Sequence, residues 1–477
     1  MAGIGFELRR LVRADRLSAN LRGLAYATAV SSGPWLFTCL ALVGVWSVGS
    51  QVLDADLLRR FSILITYNFS FSLLISGPLV LVVTRCLADA IHAMDVRGVS
   101  ALFLGALAVL FALTALFGVG LYGHALELGG LERAAALVGL MLTSGIWLVT
   151  TFMSALKSYG VISATFATGM AAAVAGAALL APDYGSVGLL AGFNLGLAII
   201  FFSLVARVMA EFPGSAVPSL GFLSALRSHW ELALVGLTYT AAIWVDKWIM
   251  WFAPGSMAAG PGLFAHPTYE SSIFLAYLSV VPATALFLIA VETRIYATYV
   301  RFFRDISEHA SLDEIRTSHR KFVSQLSDGF RRIATLQVAV CALLILAAPA
   351  LIKVLGGGVE LVPVFRYGLF GALFHMLLTL TQTVLAYLDL RRALLAVTTT
   401  FLVPNATLTF AATRLGAEYY GYGYALATLL TFMVSYAVVV LRVARLPYLT
   451  FIANNTAVRA PRRSPPSPAR DATRQPT

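Results

Sequence analysis

Charge is what this 477-residue chain has least of: Asp, Glu, Lys and Arg make up 12% of it, about half the share in an ordinary soluble domain. Lysine is scarcer still, with four residues, at 157, 247, 321 and 353. A coat this thin in charge cannot enclose a water-soluble core of this size, which excludes a soluble enzyme. Cysteine is limited to Cys39, Cys86 and Cys341, in or beside apolar runs and without a CxxC pair. That excludes a disulfide framework and argues against a metal knuckle. The motifs GxxxxGK[ST], GxSxG and HExxH are missing, so no signature of nucleotide hydrolysis or of a hydrolase is legible. No cofactor is expected.

What the chain has instead is apolar length. Hydrophobic residues make up 59% and the mean hydropathy is +0.82, so the second solvent is a bilayer, which about 20 apolar residues span. Apolar runs predict twelve spans at about 24–49, 61–84, 99–122, 132–155, 160–181, 186–209, 231–252, 271–293, 333–354, 364–388, 393–413 and 421–443. Basic residues orient them, because Lys and Arg are retained on the cytoplasmic side. With the N-terminus inside, 27 basic residues fall in cytoplasmic segments and 6 in the opposite loops. Both termini are therefore expected in the cytoplasm. The net charge of +11 reads as orientation, not as a nucleic-acid footprint. The arginine-rich start lacks the apolar stretch of a cleavable signal peptide.

The organisation follows from these runs. Residues 1–22 set Ile4, Leu8, Leu11 and Val12 at helical spacing beside Arg9, Arg10, Arg13 and Arg16, which predicts an amphipathic helix on the inner leaflet. Two six-helix lobes, 23–209 and 231–455, flank a cytoplasmic linker at 210–230. The second lobe carries a basic cytoplasmic insert at 295–332, where Ser311 and Glu314 form a capping box able to start a helix. That insert is a candidate docking surface for an acidic partner or lipid headgroups. Residues 456–477, rich in Pro, Ser and Arg, have nothing to bury and read as a disordered tail. The outer loop 253–270, with six Gly or Pro residues, is either a mobile lid or a long turn. Gly356, Gly357 and Gly358 read as a helix cap.

Breaks and buried charges mark where function belongs in a membrane protein. Pro34, in Ser31-Ser32-Gly33-Pro34-Trp35, Pro78, in Ser76-Gly77-Pro78, and Pro282 each remove a helical hydrogen bond inside a span and are candidate hinges. Pro78 and Pro282 lie 204 residues apart (282 − 78), the one sequence hint of a repeat between the lobes. Asp246 and Lys247 lie in a tryptophan-rich stretch near the outer end of span seven. Adjacent residues on a helix point about 100° apart, so the two are not expected to face one another. Lys247 is expected either to snorkel into an aromatic belt of Trp244, Trp248 and Trp251 or to line the bundle. Asp246, with its short side chain, is the first candidate for a cavity-lining group. Glu292 closes span eight at the inner face, either in a headgroup-level salt bridge with Arg294 or at a cytoplasmic entrance. Asn68, Tyr239 and Gln382 add amide and aromatic surface of the kind sugars use, among other polar groups such as Asn194, His375 and Asn405. Interhelical hydrogen bonding accounts for such residues equally.

The opening MAGIGFELRRL, the SSGPW of span one, SGPLVLVVTR of span two, WVDKWIMWF of span seven and FLAYLSVVPATALFLIAVETR of span eight resemble the PelG family of exopolysaccharide Pel transporters, over about residues 1–455. The resemblance implies an all-α integral membrane protein of the multidrug/oligosaccharidyl-lipid/polysaccharide exporter superfamily, with two six-helix lobes around a cavity open alternately to each side. It implies transport of Pel, a biofilm exopolysaccharide rich in partly deacetylated N-acetylgalactosamine, across the bacterial inner membrane. It also implies partners: the cytosolic glycosyltransferase PelF and the membrane proteins PelD and PelE, with PelD sensing cyclic-di-GMP. A cationic polymer favours acids, which makes Asp246 and Glu292 the expected contacts. A lipid-linked oligosaccharide flippase, a cation-coupled drug exporter and a non-transporting synthase scaffold are the alternatives.

Overall fold

The computed structural model describes residues 26–448 apart from 127, 157, 213, 215 and 216. The amphipathic helix expected at 1–22 and the tail expected at 456–477 lie outside the described residues. Helices α1 (Gly33–Gly49), α2 (Ala55–His92), α3 (Val99–Gly120), α4 (Gly130–Ala155) and α5 (Tyr159–Glu211) form a first set. A short helix, α6 (Phe222–Ser228), leads into α7 (Trp230–Met250). A hairpin of β1 (Met257–Ala258) and β2 (Phe264–Ala265) precedes α8 (Pro267–Leu278), α9 (Val281–Ala290) and α10 (Tyr296–Ser307). The chain closes with α11 (Leu312–Val354), α12 (Leu361–Tyr387), α13 (Arg391–Leu415) and α14 (Tyr422–Ala444).

Ten of these helical stretches are long and apolar enough to cross a membrane, and with the backbone satisfied inside each helix they make a multi-pass membrane protein. The sequence predicts twelve, and two local features account for the difference. Residues 26–31 are helical, but a turn at Ser32 leaves α1 as a separate apolar helix of 17 residues. The expected spans 160–181 and 186–209 run together as the 53-residue α5, interrupted only at Gly185 (φ 60°, ψ −134°). That left-handed conformation suits glycine, and it reverses the chain. Gly176 packs on Gly192 and Gly169 on Ile200 and Gly196, so the two halves of α5 run antiparallel.

Packing follows one pattern twice. In the first set α1 packs on α5, α2 on α4, and α4 on both α3 and α5. In the second, α7 packs on α13, α8 on α12, and α12 on both α11 and α14. One large buried core belongs to the first set, and the other clusters lie mostly in the second. Of the contacts that join the sets, two lie at helix backbones and helix breaks. On α2, Gly77 meets Gly236 of α7 so closely that a Cβ at Gly77 would lie 2.8 Å from the Gly236 carbonyl oxygen, the close approach that small residues permit between membrane helices. Ala27 and Val30 pack on Ala285, and Ser32 Oγ lies 2.9 Å from Thr284 Oγ1.

The three candidate hinge prolines do not behave alike. Pro34 and Pro282 occupy the first turns of α1 and α9, where a missing N–H costs nothing. Their helix breaks are the ones that meet through Ser32 and Thr284. Pro78 sits inside an α2 that continues through it.

Other local expectations are resolved as well. Ser311 and Glu314 form the reciprocal capping box that starts α11. The insert 295–332 is therefore a helical hairpin, α10 against the first half of α11, with Tyr299 on Phe322 and Phe302 on His319. Gly356, at φ +74°, follows the end of α11. The glycine- and proline-rich loop is a pinned β-hairpin: the backbone of Phe264 both donates to and accepts from Tyr67 Oη at 3.0 Å.

Candidate functional site

The polar centre of the second helix set is built on α7. Asp246 is completely buried (0% exposed). Lys247 donates to both of its carboxylate oxygens at 3.1 and 3.0 Å and to the Ile243 carbonyl at 3.1 Å. This corrects the expectation that adjacent residues cannot pair: the Cβ directions diverge, but the four-carbon lysine stem folds back to its neighbour. All three ammonium hydrogens are thereby placed. From α8, Tyr269 donates to Asp246 Oδ2 at 2.7 Å.

An aromatic shell surrounds the ammonium. Lys247 Nζ lies 5.7 to 5.8 Å from the ring centroids of Trp244, Tyr277 and Tyr424, within cation–π range. Tyr424 Oη on α14 lies 2.8 Å from Tyr277 Oη on α8, and His375 Nδ1 on α12 lies 2.9 and 3.0 Å from the two. Tyr239 Oη approaches His375 Nε2 at 3.4 Å. Lys247, Trp244, Tyr239 and Tyr277 keep part of their surface accessible, whereas Asp246, Tyr269, Tyr424 and His375 are buried behind them. The cluster thus has a front of rings and one cation and a back that holds them. Its front offers donors, acceptors and ring faces in one place, and no net charge, because the acid behind cancels the base.

Beyond the cluster, the end of α7 seals against the first set. Trp251 is buried, stacked on Tyr67 at 4.3 Å, and donates to Glu270 Oε1 at 2.7 Å. Trp248 donates to Ser70 Oγ at 2.7 Å. These two tryptophans lie between helix sets instead of in a lipid-facing belt. His266, just before α8, holds the Pro254 carbonyl at 3.2 Å. Burial pulls its pKa below the usual histidine value of 6.5, although backbone hydrogen bonds oppose the shift.

At the opposite end, a chain of ions joins the sets. Arg85 of α2 lies 3.0 Å from Asp89 and 3.6 Å from Asp389, in the turn between α12 and α13. Asp389 is gripped by Arg391 at 2.8 and 3.0 Å, and Arg391 also donates to His229 Nδ1 at 2.9 Å. Burial works to raise the Asp389 pKa, but the Arg391 hydrogen bond and the charges of Arg391 and Arg85 outweigh it and hold the carboxyl below its usual range.

The five predicted contact residues do not form one site. Asp246 and Tyr239 belong to the cluster. Asn68 is in the first set, accepting from Tyr122 Oη at 2.6 Å beside Asn194 and Gly139. Gln382 is buried on α12, with its Nε2 unpartnered. Glu292 sits in the π-helical turn Val291–Ile295, within electrostatic reach of Tyr159 and Tyr387. Sequence reasoning missed Tyr269, Tyr424 and Glu270, whose only signal was a hydrogen-bonding side chain at the edge of an apolar run. Among the described residues no group of three or more His, Cys, Asp or Glu side chains is placed to hold a metal ion.

Residues 1–451 match the family described as PelG, exopolysaccharide exporter (EPS-E). The comparison with curated proteins gives no match. Among solved structures, a MOP superfamily transporter from Pyrococcus furiosus aligns with a TM-score of 0.59 at 14% identity, over 92% of this chain and 98% of its own. A multidrug resistance MATE transporter of the same superfamily aligns in its inward-facing conformation at 0.61 and 15% identity, over 88% and 99% of the two chains. The outward-facing conformation aligns at 0.60 and 13%, over 89% and 96%. The fold is a MATE-like transporter fold.

Proposed function

The chain belongs to the PelG exopolysaccharide exporter family, and from that premise we propose that it moves the Pel polymer from the cytoplasm to the periplasm across the bacterial inner membrane. On this reading α1 and the two antiparallel halves of α5 each cross the bilayer, which brings the crossings to twelve, in two lobes with both termini cytoplasmic. The repeated packing pattern supports two lobes, and the excess of basic residues in alternate loops supports that orientation. PelF, PelD and PelE are the proposed partners, and the hairpin of α10 and α11 is the proposed docking face for the synthase.

The observation that carries the reading is the front of the α7 cluster. Tyr239, Tyr277 and Trp244 offer rings to the C–H faces of a sugar, and the tyrosine hydroxyls offer hydrogen bonds. Asp246 takes a different part from a direct contact: it neutralises Lys247, so that a partly cationic polymer meets a wall of no net charge. Glu292, Asn68 and Gln382 belong to other stations along the bundle. The ion chain from Arg85 to His229 and the Tyr67–Trp251 seal are the proposed closures at the two ends.

Reconstitution in liposomes with Pel fragments, with and without a proton gradient, tests the transport itself. Secretion by Asp246→Asn and Tyr277→Phe variants tests the cluster: each is expected to lower secretion at unchanged protein level. Full secretion by both removes the cluster from the mechanism.

A further inference from the structure

A second feature lies away from the α7 cluster, in a cavity of about 910 Å³ within the second helix set. Its walls are α9 and the π-turn after it (Phe287, Val291, Ile295), α12 (Leu380, Val384, Tyr387) and α14 (Tyr436, Val440, Val443). These walls are mostly apolar, with Thr381 and Thr383 of α12 adding two hydroxyls. The remaining wall is α11, and it differs in kind: Arg320, Ser324, Ser327 and Arg331 all line the cavity. Their spacing of four, three and four residues places them on one stripe of the helix. Both arginines are exposed. Arg320 donates to Thr317 Oγ1 at 3.4 Å, and neither arginine has a carboxylate partner among the described residues. Asp328, one turn before Arg331, makes no ion pair with it.

The level of the cavity is given by the helices around it. Tyr387 ends α12, Ala444 ends α14 and His319 is bonded to the Val443 carbonyl, so the mouth lies where these helices leave the apolar zone. From there the cavity runs inward to Arg331, Ile333 and Tyr436. Tyr436 and Val440 are 45% and 48% exposed, so the flank faces the surrounding lipid. A chamber with mostly apolar walls on three sides and a cationic, hydroxyl-bearing stripe on the fourth matches an anionic amphiphile. A cationic polymer would be repelled by the same stripe.

Spacing narrows the choice. Eleven residues of helix separate the two arginines, about 16 Å along the axis at 1.5 Å per residue. One phosphate engages both guanidinium groups over that span only when both arginine stems fold toward each other. Two phosphates joined by a short polar linker meet both with less bending, with the two serine hydroxyls beneath the linker. Basic pockets between transmembrane helices hold doubly anionic headgroups on this principle.

We propose that this cavity is a binding site for a diphosphoryl lipid of the cardiolipin class, with one phosphate at Arg320, the other at Arg331 and the acyl chains along α9, α12 and α14. The site depends on the membrane placement of α11 and not on which polymer is carried.

The test is binding and thermal stabilisation of the detergent-purified full chain with tetraoleoyl cardiolipin, dioleoylphosphatidylglycerol, dioleoylphosphatidylcholine, undecaprenyl phosphate and inorganic phosphate. Cardiolipin is expected to stabilise most, and phosphatidylglycerol less at equal phosphate. The Arg320→Gln/Arg331→Gln variant is expected to bind cardiolipin roughly thirty-fold more weakly, from about fivefold per basic residue. A Val440→Trp variant, which narrows the chamber along α14 and leaves both charges, is expected to weaken cardiolipin binding while keeping the unliganded melting temperature. Equal stabilisation by cardiolipin and phosphatidylglycerol, equal binding by the double variant, or preference for undecaprenyl phosphate would overturn the proposal. Failed polymer transport with cardiolipin binding intact would count against the exporter reading and leave this site standing.

Discussion

The two helix sets share one pairing pattern and hold it by different means. In the first, the α5 hairpin closes through glycine: Gly169, Gly176, Gly188, Gly192 and Gly196 all sit where a side chain would strike the facing half. The matching pair α13 and α14 relies on one such position, Gly423 against Thr409. The first set keeps its strong ion pair near helix starts, with Arg60 bidentate on Glu132 at 2.7 Å. The second buries a charge pair on α7 and surrounds it with hydroxyls and an imidazole. Close packing of backbones holds the first hairpin, whereas a buried polar cluster ties four helices of the second set. The sets therefore differ in how they are held, and the one tied through the polar cluster carries the candidate site.

The largest effect that sharpens this contrast is expected at Asp246. Asp246→Ala leaves Lys247 charged and unpaired in the bundle and should cost about 3–5 kcal/mol, read as a lower melting temperature in detergent. Replacing both residues by leucine should recover most of that stability while secretion stays low. Next comes Gly192→Val, whose new side chain meets the Ala177 backbone and should cost about 1–3 kcal/mol or more. If it melts like the parent, the first set is not closed by glycine. Tyr277→Phe and Tyr424→Phe remove hydrogen bonds within one triangle. Each should cost about 0.5–1.5 kcal/mol, and a double-mutant cycle should show less than additive loss.

The smallest effect concerns pH. His266 has a folded pKa below its unfolded value of 6.5, so between the two the unfolded chain binds the extra proton. Its contribution to stability is complete above pH 6.5 and declines as the pH falls through 6.5 toward the folded pKa. Melting curves from pH 8 to 5 should show this slope, and His266→Gln should remove it. Asp389, whose pKa is held below the usual carboxylate range, keeps its pairing with Arg391 over that whole interval.

The fold was largely legible because bilayer crossing leaves long apolar runs and because local caps such as Ser311 and Glu314 act within one turn. The short span before α1 and the merging of two spans at Gly185 were not, since hydropathy records length and not backbone direction. The candidate site was half legible. A buried charge on α7 announces itself in any apolar run, but its partners Tyr269 and Tyr424 lie 23 and 178 residues away (269 − 246 and 424 − 246) and look like any membrane tyrosine. The spacing rule also failed for Asp246 and Lys247, because it describes where side chains begin and not where a long one ends.

Helix α11 carries a mechanical consequence. Its 43 residues make a rod of about 64 Å, roughly twice the thickness of the hydrocarbon core. The capped end is braced by α10 and the far end is packed on α12, so the rod has a braced handle at one end and a foot within the second helix set at the other. A tilt of about 5° carries the tip of about 20 residues of such a rod, roughly 30 Å at 1.5 Å of helix per residue, through about 2.6 Å. Leverage of that kind lets a body docked on the capped hairpin do work on the bundle without ever touching the path through it.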